Sequence, residues 1–502
     1  MPPLHCAAVR RSFTPAWLAQ DPRALAFLPR IELPRARPIH PDVVDELARQ
    51  NPEGLASVDR LVRGAGAVVT GQQVGLFLGP LYSLTKALSA VVDAREATER
   101  GRDAVAVFWL QTEDADFEEV RHSAFPGGSV SLADNPAEAR RSLAHRALGA
   151  SVLDCLRGLD LGGHFAADVR DLLARHYRPE RTLAEAFADT LRELTRGTGL
   201  LVLDPRREPL ARLVRPVHER ALDDPTLGGI LAERAAALEA AGFEVQVPSR
   251  PGALLSCFHP EGPLGPRYRL VETEKGLECA GGPPVARSQI DPGSLSVSTT
   301  ALLRPIVQDT LLPTMAVVLG PGELAYFAQL PPLYGAFGLP LPQVIPRGRV
   351  RLSVPASRRL AEQVGLPLQP RSALVEALAR RGDNGALAAL DALSDTVAAK
   401  LAAVASDAPD AACGAAAAKT ADGVSQALAR LRGRFVAGHA ALQATDLERL
   451  DRWLSWVAPG DAPQERVLGF APFAARVGAP ALVQGMLGAL VPGSHELVEV
   501  AL

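Results

Sequence analysis

A glycine-rich string in the first third of the chain carries residue types that could bind a phosphate or a carboxylate. The string TGQQVGLFLGP, at residues 70–80, lies between an apolar strand pattern and a helical pattern. A glycine turn lets backbone N–H groups approach an anion, and glutamine amides both donate and accept hydrogen bonds. It matches neither the Walker loop nor G-x-G-x-x-G, so an ordinary strand–helix turn remains the alternative. The binding candidates are Gly71, Gln72, Gly75, Gly79 and, in the helical pattern that follows, Lys86.

An acidic cluster follows the next apolar strand pattern. Carboxylates crowded at the end of a strand could hold Mg²⁺ together with a nucleotide, or accept a proton from an amine. Acidic residues are also favoured in the first turn of a helix, which explains Glu118 and Glu119 without any function. The catalytic candidates are Glu113, Asp114 and Asp116, together with Gln73 of the glycine-rich string.

A third string, GPGELAYFAQL at residues 320–330, repeats the order of strand, glycine turn and helix. In a parallel sheet its polar residues would meet the first two strings at one edge. Two arginines, one on a predicted helix and one after a predicted strand, could each bind a carboxylate through two hydrogen bonds or form a structural ion pair. The binding candidates from these segments are Gly320, Gly322, Glu323, Tyr326, Arg304, Gln308 and Arg347.

The composition argues against several kinds of partner and site. The 502 residues include 53 basic and 56 acidic side chains, a net charge of -3 without the basic excess typical of nucleic-acid-binding proteins. No apolar run has the length of a membrane span, and the N-terminus lacks a secretory apolar region. The five cysteines are scattered, and no C-x-x-C or H-E-x-x-H motif occurs. We expect a cytoplasmic protein with no tightly bound, protein-ligated metal, and we expect Cys257 and Cys279 to be inert thiols.

The spacing of apolar residues predicts an α/β fold. Strand and helix patterns alternate around the first two strings and return after residue 299, which favours a parallel sheet. Between them, the short alternating runs FEVQV, ALLSCF and RYRLVET predict a small β-rich insertion. The predicted segments are a first part of the core at 1–135, a mainly helical connection with one core strand at 136–242, the insertion at 243–298, a second part of the core at 299–355, a helical coiled-coil region at 356–460 and a C-terminal segment packing on the core at 461–502.

The helical region carries the pattern of a coiled-coil seam. Val424, Leu428, Leu431 and Phe435 follow the alternating spacing of four and three residues that such seams use. These helices could pair with one another or with a second chain.

Three strings together resemble the signature blocks of the BshC family, the cysteine-adding enzymes of bacillithiol biosynthesis. They are VVTGQQVGLFLGPLYSLTKA, VFWLQTEDADFEEV and LLRPIVQDTLLPTMAVVLGPGELAYFAQL, and their order and spacing also match. The segments TLAEAFADTLRELTRGTGLLVLDP and QERVLGFAPFAARVG are similar to that family too, so the resemblance covers most of the chain. It implies a Rossmann-like core with connecting insertions and a C-terminal coiled coil that pairs two chains.

The reaction that this resemblance implies is a ligase reaction forming an amide. The carboxyl group of cysteine is joined to the amino group of glucosaminyl malate, and ATP with Mg²⁺ is the expected activating partner because oxide is a poor leaving group. The two glycine turns would hold anionic groups, and Gln72 and Gln73 would orient a substrate. Arg304 and Arg347 would neutralise the malate carboxylates, while Glu113 or Asp114 would take the ammonium proton.

One position departs from the family pattern. The acidic block of the family usually reads E-D-H-D-F, whereas Ala115 occupies the histidine position here. A histidine base is therefore excluded at that position, and another base such as His122, a slower reaction or a changed substrate would follow.

Two other readings remain open at this point. A sheet with glycine turns could serve another amino-acid-activating or nucleotidyl-transfer enzyme, because a fold does not fix a function. The chain could also be a non-catalytic dimeric scaffold, in which the helical region is the working part and the α/β body only binds a ligand.

Overall fold

The computed structural model describes residues 11–248, 252–274 and 276–502. Thirteen strands lie in these residues: Gly66–Gln73 (β1), Ala104–Gln111 (β2), His122–Phe125 (β3), Gly128–Ser131 (β4), Leu201–Leu203 (β5), Ala253–Phe258 (β6), Tyr268–Thr273 (β7), Gly276–Cys279 (β8), Val297–Thr299 (β9), Thr314–Leu319 (β10), Gln343–Pro346 (β11), Arg349–Ser353 (β12) and Leu497–Ala501 (β13).

The same residues form twenty-three α-helices: Phe13–Leu18 (α1), Pro22–Phe27 (α2), Pro41–Gln50 (α3), Leu55–Val62 (α4), Tyr82–Glu99 (α5), Phe117–Val120 (α6), Ser151–Gly158 (α7), Ala166–His176 (α8), Leu183–Leu194 (α9), Glu208–Leu213 (α10), Arg215–Asp223 (α11), Thr226–Ala240 (α12), Arg304–Leu311 (α13), Pro321–Phe327 (α14), Pro331–Phe337 (α15), Pro355–Val364 (α16), Arg371–Arg381 (α17), Ala386–Ser406 (α18), Ala411–Leu442 (α19), Ala444–Val457 (α20), Gln464–Val467 (α21), Ala471–Val477 (α22) and Ala479–Ala489 (α23).

Five strands form the central sheet, in the order β11–β10–β1–β2–β5, and every neighbouring pair is parallel. Nearly all of β1 and β2 is buried. A parallel sheet is covered on both faces, which explains why β2 reads as the uninterrupted apolar run AVAVFWL and not as an alternating pattern. The predicted α/β fold with a parallel sheet is confirmed.

The chain changes direction across this sheet beside β1. It moves from β1 to β2 and β5 on one side, and it returns later to β10 and β11 on the other side. At such a reversal the connecting segments leave in opposite directions, and a crevice opens beyond the carboxyl ends of the strands. The three predicted strings reach this edge because they follow, or end, β1, β2 and β10.

The predicted β-rich insertion is a four-stranded antiparallel sheet in the order β8–β7–β6–β9. One predicted strand is wrong, because in FEVQV only Phe243 pairs, through an isolated bridge to Arg11. The helical segment after β10, ELAYFAQLPPLYGAFG, is divided into α14 and α15. Proline can occupy the first turn of a helix but not its interior, so the Pro331–Pro332 pair ends one helix and begins the next.

The chain divides into two compact units, residues 1–352 with 465–502, and residues 353–464. The first unit contains the central sheet and the β-rich insertion. The second is helical, and α18 packs along α19 as an antiparallel hairpin connected by residues 407–410. The finer division into six segments stays a prediction. Within the described residues, no helix combines the length and the apolar character that crossing a membrane requires.

Candidate functional site

An open pocket of about 610 Å³ lies beyond the carboxyl ends of β1, β2 and β10. Its wall includes Gln72 and Gln111 at the ends of β1 and β2, and Gly320 directly after β10. The structure brings most of the predicted residues together here: Gln72, Lys86, Glu113, Asp114, Arg304, Gly320, Gly322, Glu323, Tyr326 and Arg347.

Lys86 and Glu323 form an ion pair at the reversal point of the sheet. The Lys86 ammonium donates to Glu323 Oε2 at 2.5 Å, to Gln72 Oε1 at 3.2 Å and to the carbonyl oxygen of Gly71. The backbone N–H of Gly320 donates to the same Glu323 oxygen at 2.9 Å. Burial lowers the pKa of Lys86, and the Glu323 carboxylate opposes that shift. Because Glu323 already caps the GPGE turn, the geometry does not favour a ligand anion at that turn.

Arg304 is held by neutral partners, and no carboxylate among the described residues forms an ion pair with it. Its guanidinium donates to Gln308 Oε1 at 2.9 Å and to the Tyr326 hydroxyl oxygen at 2.6 Å. Gln308 in turn donates to buried Asp309 at 2.9 Å, and the hydroxyl of Tyr334 donates to the same carboxylate at 2.5 Å. This chain of hydrogen bonds fixes the orientation of Arg304 in the pocket. Gln308 itself lies behind the wall.

Arg347 has a different environment from Arg304. Its side chain is 5% exposed and donates to Glu465 Oε1 at 2.7 Å and to the carbonyl oxygen of Gly348 at 2.9 Å. Glu465, whose side chain is 3% exposed, therefore balances its charge. Arg347 therefore forms a structural ion pair, which was the alternative to carboxylate binding in the sequence analysis, although it also lines the pocket.

The carboxylates of Glu113 and Asp114, the two predicted acids in the pocket wall, already accept hydrogen bonds from neighbouring residues. Glu113 Oε2 accepts from the backbone N–H of Thr299 at 3.0 Å and from the Thr299 hydroxyl. Asp114 Oδ1 accepts from the backbone N–H of Ala115 at 2.7 Å, and its Oδ2 accepts from Gln73 Nε2 at 2.7 Å. These fixed donors occupy lone pairs that a substrate proton would need.

Glu119 lines the pocket although the sequence analysis gave it no function. It lies on the short helix α6, and Gln73 donates a hydrogen bond to its carboxylate. Burial raises the pKa of Glu119, and the negative charges of Asp116 and Asp114 add to that shift. The sequence analysis explained Glu119 by the preference for acids in a first helical turn. It could not show that this particular turn lies at the edge of the pocket.

Two arginines that sequence reasoning missed complete the pocket, Arg269 on β7 and Arg466 on α21. Neither guanidinium forms a hydrogen bond or an ion pair with another residue in the described part of the chain. The hydroxyl of Thr300, also in the wall, is buried and has no partner among the described residues. Arg267 also lines the pocket, and donates to Ser298 at 3.1 Å. Its position two residues before Arg269, in an extended run, is the signal that could have placed both on one face.

Close backbone packing explains the glycines of the first string without a bound anion. β1 continues through Gln73, so the turn begins later than the sequence predicted. A Cβ atom on Gly71 would lie 2.7 Å from the Trp109 carbonyl oxygen, and one on Gly75 would lie 2.0 Å from the Gly79 carbonyl oxygen. Gly71, Gly75 and Gly79 do not belong to the pocket wall.

Three other candidates also lie outside the wall. Gln73 contacts Asp114 and Glu119 from behind, and Asp116 caps α6 by accepting from the Glu119 N–H at 3.3 Å. His122, the substitute base that the sequence suggested, is bonded to Ser131 at 2.6 Å and to Glu118 at 3.0 Å. Its position outside the pocket does not favour that role.

Cys257 lines the pocket, where burial raises its pKa. A raised thiol pKa disfavours the reactive thiolate, which agrees with an inert cysteine. No group of three or more potential metal ligands occurs among the His, Cys, Asp and Glu residues that the structure describes.

Comparison with known proteins identifies a family. The sequence profile described as "Bacillithiol biosynthesis BshC, N-terminal Rossmann-like domain" matches residues 40–348. This range contains all five strands of the central sheet and more than half of the chain. The predicted family and the predicted Rossmann-like core are therefore confirmed.

Individual relatives support the same assignment. The chain is 32% identical over 457 residues to the "Putative cysteine ligase BshC" of Koribacter versatilis, with 87% of this chain and 84% of the relative covered. Proteins of the same name from Solibacter usitatus and Salinibacter ruber are each 33% identical over 342 and 341 residues. These two alignments cover 64% of this chain and 62% and 60% of the relatives, so they span less than two thirds of those proteins. The names of the relatives agree with the predicted ligase class.

Proposed function

Because the chain belongs to the BshC family, we propose that it is a ligase of bacillithiol biosynthesis that forms a carbon–nitrogen bond. In this reaction the carboxyl group of cysteine is joined to the amino group of glucosaminyl malate, and an amide results. The names of the relatives support the ligase class, and the chemistry of the pocket supports the two substrates.

The observation that carries this proposal is the mixture of charges in one pocket at the reversal point of the sheet. Ligands of parallel α/β sheets bind at such points. Here the wall presents guanidinium groups, which bind carboxylates, and carboxylates, which bind or deprotonate an ammonium group. A substrate with both carboxylates and an amine needs both kinds of partner.

Three arginines are the best partners for the malate carboxylates. Arg304, Arg269 and Arg466 all line the pocket, and no ion pair neutralises them within the described residues. Arg347 is less suitable because Glu465 already balances its charge. We therefore assign carboxylate binding to the first three residues and a structural role to Arg347.

ATP with Mg²⁺ is the activating partner in this proposal. An amine does not displace oxide from a carboxylate at a useful rate, whereas it does displace a phosphate or AMP from an acyl derivative. Mg²⁺ is usually bound through one or two carboxylates together with substrate phosphates, so it needs no dedicated cluster of protein ligands. Lys86 does not serve the nucleotide here, because Glu323 pairs with it.

A second copy of the chain is the proposed partner of the helical unit. Leu431, Phe435 and Leu442 of α19 are 40%, 40% and 84% exposed. Their spacing of four and seven residues places them on one face of the helix, in continuation of the predicted seam through Val424 and Leu428. Burying this stripe against its equivalent in a second chain would form the coiled coil. The assembly is proposed to work in the cytoplasm, where its thiol substrate stays reduced.

The proposal is tested by mass spectrometry of the purified protein incubated with glucosaminyl malate and cysteine, with and without Mg-ATP. We expect the cysteinyl conjugate only when Mg-ATP is present. Parallel incubations with serine and alanine test the alternative of another amino-acid-activating enzyme, which would convert one of them and release pyrophosphate. The absence of any product, with every amino acid, would favour the scaffold and contradict the ligase.

A further inference from the structure

We propose that Glu119 is the catalytic base that takes the proton from the attacking ammonium group of the amine substrate. This inference rests on the proposed ligase function. It assigns the deprotonation of the amine to a residue that was not among the catalytic candidates of the sequence analysis. It replaces the earlier expectation that Glu113 or Asp114 accepts the proton.

Glu119 differs from the two predicted acids in what its carboxylate contacts. Glu113 is bound twice by Thr299, and Asp114 is bound by the Ala115 N–H and by Gln73. These contacts occupy lone pairs of the two carboxylates that an incoming proton would need. Within the described residues, Glu119 has one side-chain hydrogen-bond partner, Gln73, and it lines the pocket.

The surroundings of Glu119 favour proton uptake by its carboxylate. Burial raises its pKa, and the charges of Asp116 and Asp114 raise it further, while the Gln73 amide opposes the shift. Tyr82, the first residue of α5, lines the same pocket. Burial raises the pKa of Tyr82 to about 12, and the negative charge of Glu119 adds to that shift. A base works best when its pKa lies near the working pH, and the upward shift moves the pKa of Glu119 in that direction.

The proposed step is a proton transfer from the substrate to Glu119, followed by nucleophilic attack. The substrate ammonium loses one proton to the Glu119 carboxylate, which gives a neutral amine and a neutral carboxylic acid. The lone pair released on nitrogen then attacks the activated carbonyl carbon of cysteine. The C–N bond forms as the C–O bond to the phosphate or AMP leaving group breaks, and the second nitrogen proton leaves to solvent. Because an amino group of this kind is largely protonated at neutral pH, the nucleophile would otherwise be scarce.

A base at Glu119 also explains how this chain could work with Ala115 in place of the histidine of the family pattern. The alanine methyl group offers no proton acceptor, so the base must come from another residue. Glu119 lies four positions further along the chain, on the helix that Asp116 caps. We expect a histidine introduced at position 115 to compete with Glu119 for the proton.

The test compares Glu119→Gln with Glu118→Gln. Glu118 is the matched control because it neighbours Glu119 but binds Arg121 and His122 outside the pocket. General-base catalysis typically contributes about 100-fold or more, so E119Q should lower kcat by at least about that factor, and E118Q should not. The acidic limb of the profile of kcat/KM against pH should disappear in E119Q, a change that a merely structural role would not produce. Partial recovery in A115H/E119Q would support the assignment further.

The outcomes separate this inference from the function on which it rests. An E119Q variant that keeps the wild-type kcat and pH profile, while wild type forms product, overturns the role of Glu119 and leaves the ligase intact. If wild type forms no product, calorimetry of glucosaminyl malate binding in two buffers of different ionisation enthalpy still counts the protons exchanged. Proton exchange that is the same in wild type and E119Q would overturn the inference, and exchange lost in E119Q would support it.

Discussion

The ammonium of Lys86 lies 2.5 Å from the carboxylate of Glu323, although 237 positions separate the two residues in the chain. The pair joins α5, which follows β1, to α14, which follows β10, at the point where the strand order reverses. Lys86 is one of only four lysines in the sequence, and arginine predominates among the other basic residues. The compact ammonium reaches the carbonyl oxygen of Gly71 at the same time, so the contact fixes the edge of the sheet.

Replacing Lys86 with methionine should destabilise the first unit. The Lys86 side chain is 2% exposed and that of Glu323 is 18% exposed, so the variant leaves a largely buried carboxylate without its counter-charge. Removing one partner of a buried pair typically costs about 3 kcal/mol or more in the free energy of unfolding. Thermal unfolding should show a lower Tm for K86M than for wild type.

The double variant K86M/E323Q is the control for that loss. A neutral amide in place of the carboxylate removes the uncompensated charge, so the double variant should recover part of the lost stability. If K86M and K86M/E323Q unfold at the wild-type temperature, the ion pair does not stabilise this edge.

Replacing Arg304 with methionine should weaken the binding of the dicarboxylate substrate. The variant removes a positive charge that Gln308 and Tyr326 orient without neutralising it. Loss of a charge-assisted contact of about 2 kcal/mol corresponds to a rise in KM of about 30-fold for glucosaminyl malate. Steady-state kinetics with each substrate varied in turn would measure this change.

The matched control for R304M is R95M, because Arg95 is exposed on α5 and lies outside the pocket. R95M should leave the KM of both substrates unchanged. An R304M variant whose KM for glucosaminyl malate equals that of wild type would contradict the assignment of Arg304 to carboxylate binding.

Asp93 should make stability depend on pH. Burial raises the pKa of Asp93 to about 7, and its carboxylate accepts one hydrogen bond, from the Gly493 N–H at 2.8 Å. The folded chain therefore holds a proton that the unfolded chain releases near pH 4, so this group's contribution to stability falls as pH rises from about 4 to 7. The full difference is on the order of 4 kcal/mol. Asp93→Asn removes the ionisation and should raise Tm at pH 8 more than at pH 5.

The control for D93N is D171N, a change of the same kind at an exposed position. D171N should shift Tm equally, or not at all, at the two pH values. A D93N variant whose gain in Tm is the same at pH 5 and pH 8 would show that Asp93 is ionised in the folded protein throughout this range.

Acidic substitutions on the exposed apolar stripe of α19 should prevent pairing of two chains. The stripe consists of Leu431, Phe435 and Leu442. Two carboxylates in L431E/F435E would be buried against their equivalents, and like charges at such an interface oppose association. Light scattering coupled to size-exclusion chromatography should give the mass of two chains for wild type and of one for the variant.

Ala429→Glu adds a carboxylate on the other side of α19, two positions before Leu431. It should leave the two-chain assembly intact. A wild-type protein with the mass of a single chain at micromolar concentration would contradict the proposed pairing.

The sequence could predict the core strands and much of the pocket because the relevant signals are local. Buried parallel strands appear as continuous apolar runs, and the residues at or just after their ends, such as Gln72, Glu113 and Gly320, must lie at one edge. The ends of the strands therefore specify that part of the site before any tertiary contact is known.

The remaining residues depend on tertiary packing. Arg269 and Thr299 belong to an antiparallel insertion whose position over the core no local pattern specifies, and Arg466 is distant in sequence from every strand of the central sheet. The ionic partner of Arg347 could not be predicted for the same reason, because Glu465 comes from the far end of the chain. FEVQV failed as a strand because an alternating pattern does not guarantee a pairing partner.

The most direct test of the central claim follows the carboxyl oxygens of cysteine. The protein is incubated with Mg-ATP, glucosaminyl malate and cysteine labelled with ¹⁸O at both carboxyl oxygens, and the products are analysed by mass spectrometry. Amide formation through an activated carboxyl group predicts a cysteinyl conjugate that keeps one ¹⁸O, with the other in phosphate or AMP. Failure to form any conjugate, or a conjugate that keeps both labelled oxygens, would contradict the proposed ligase reaction.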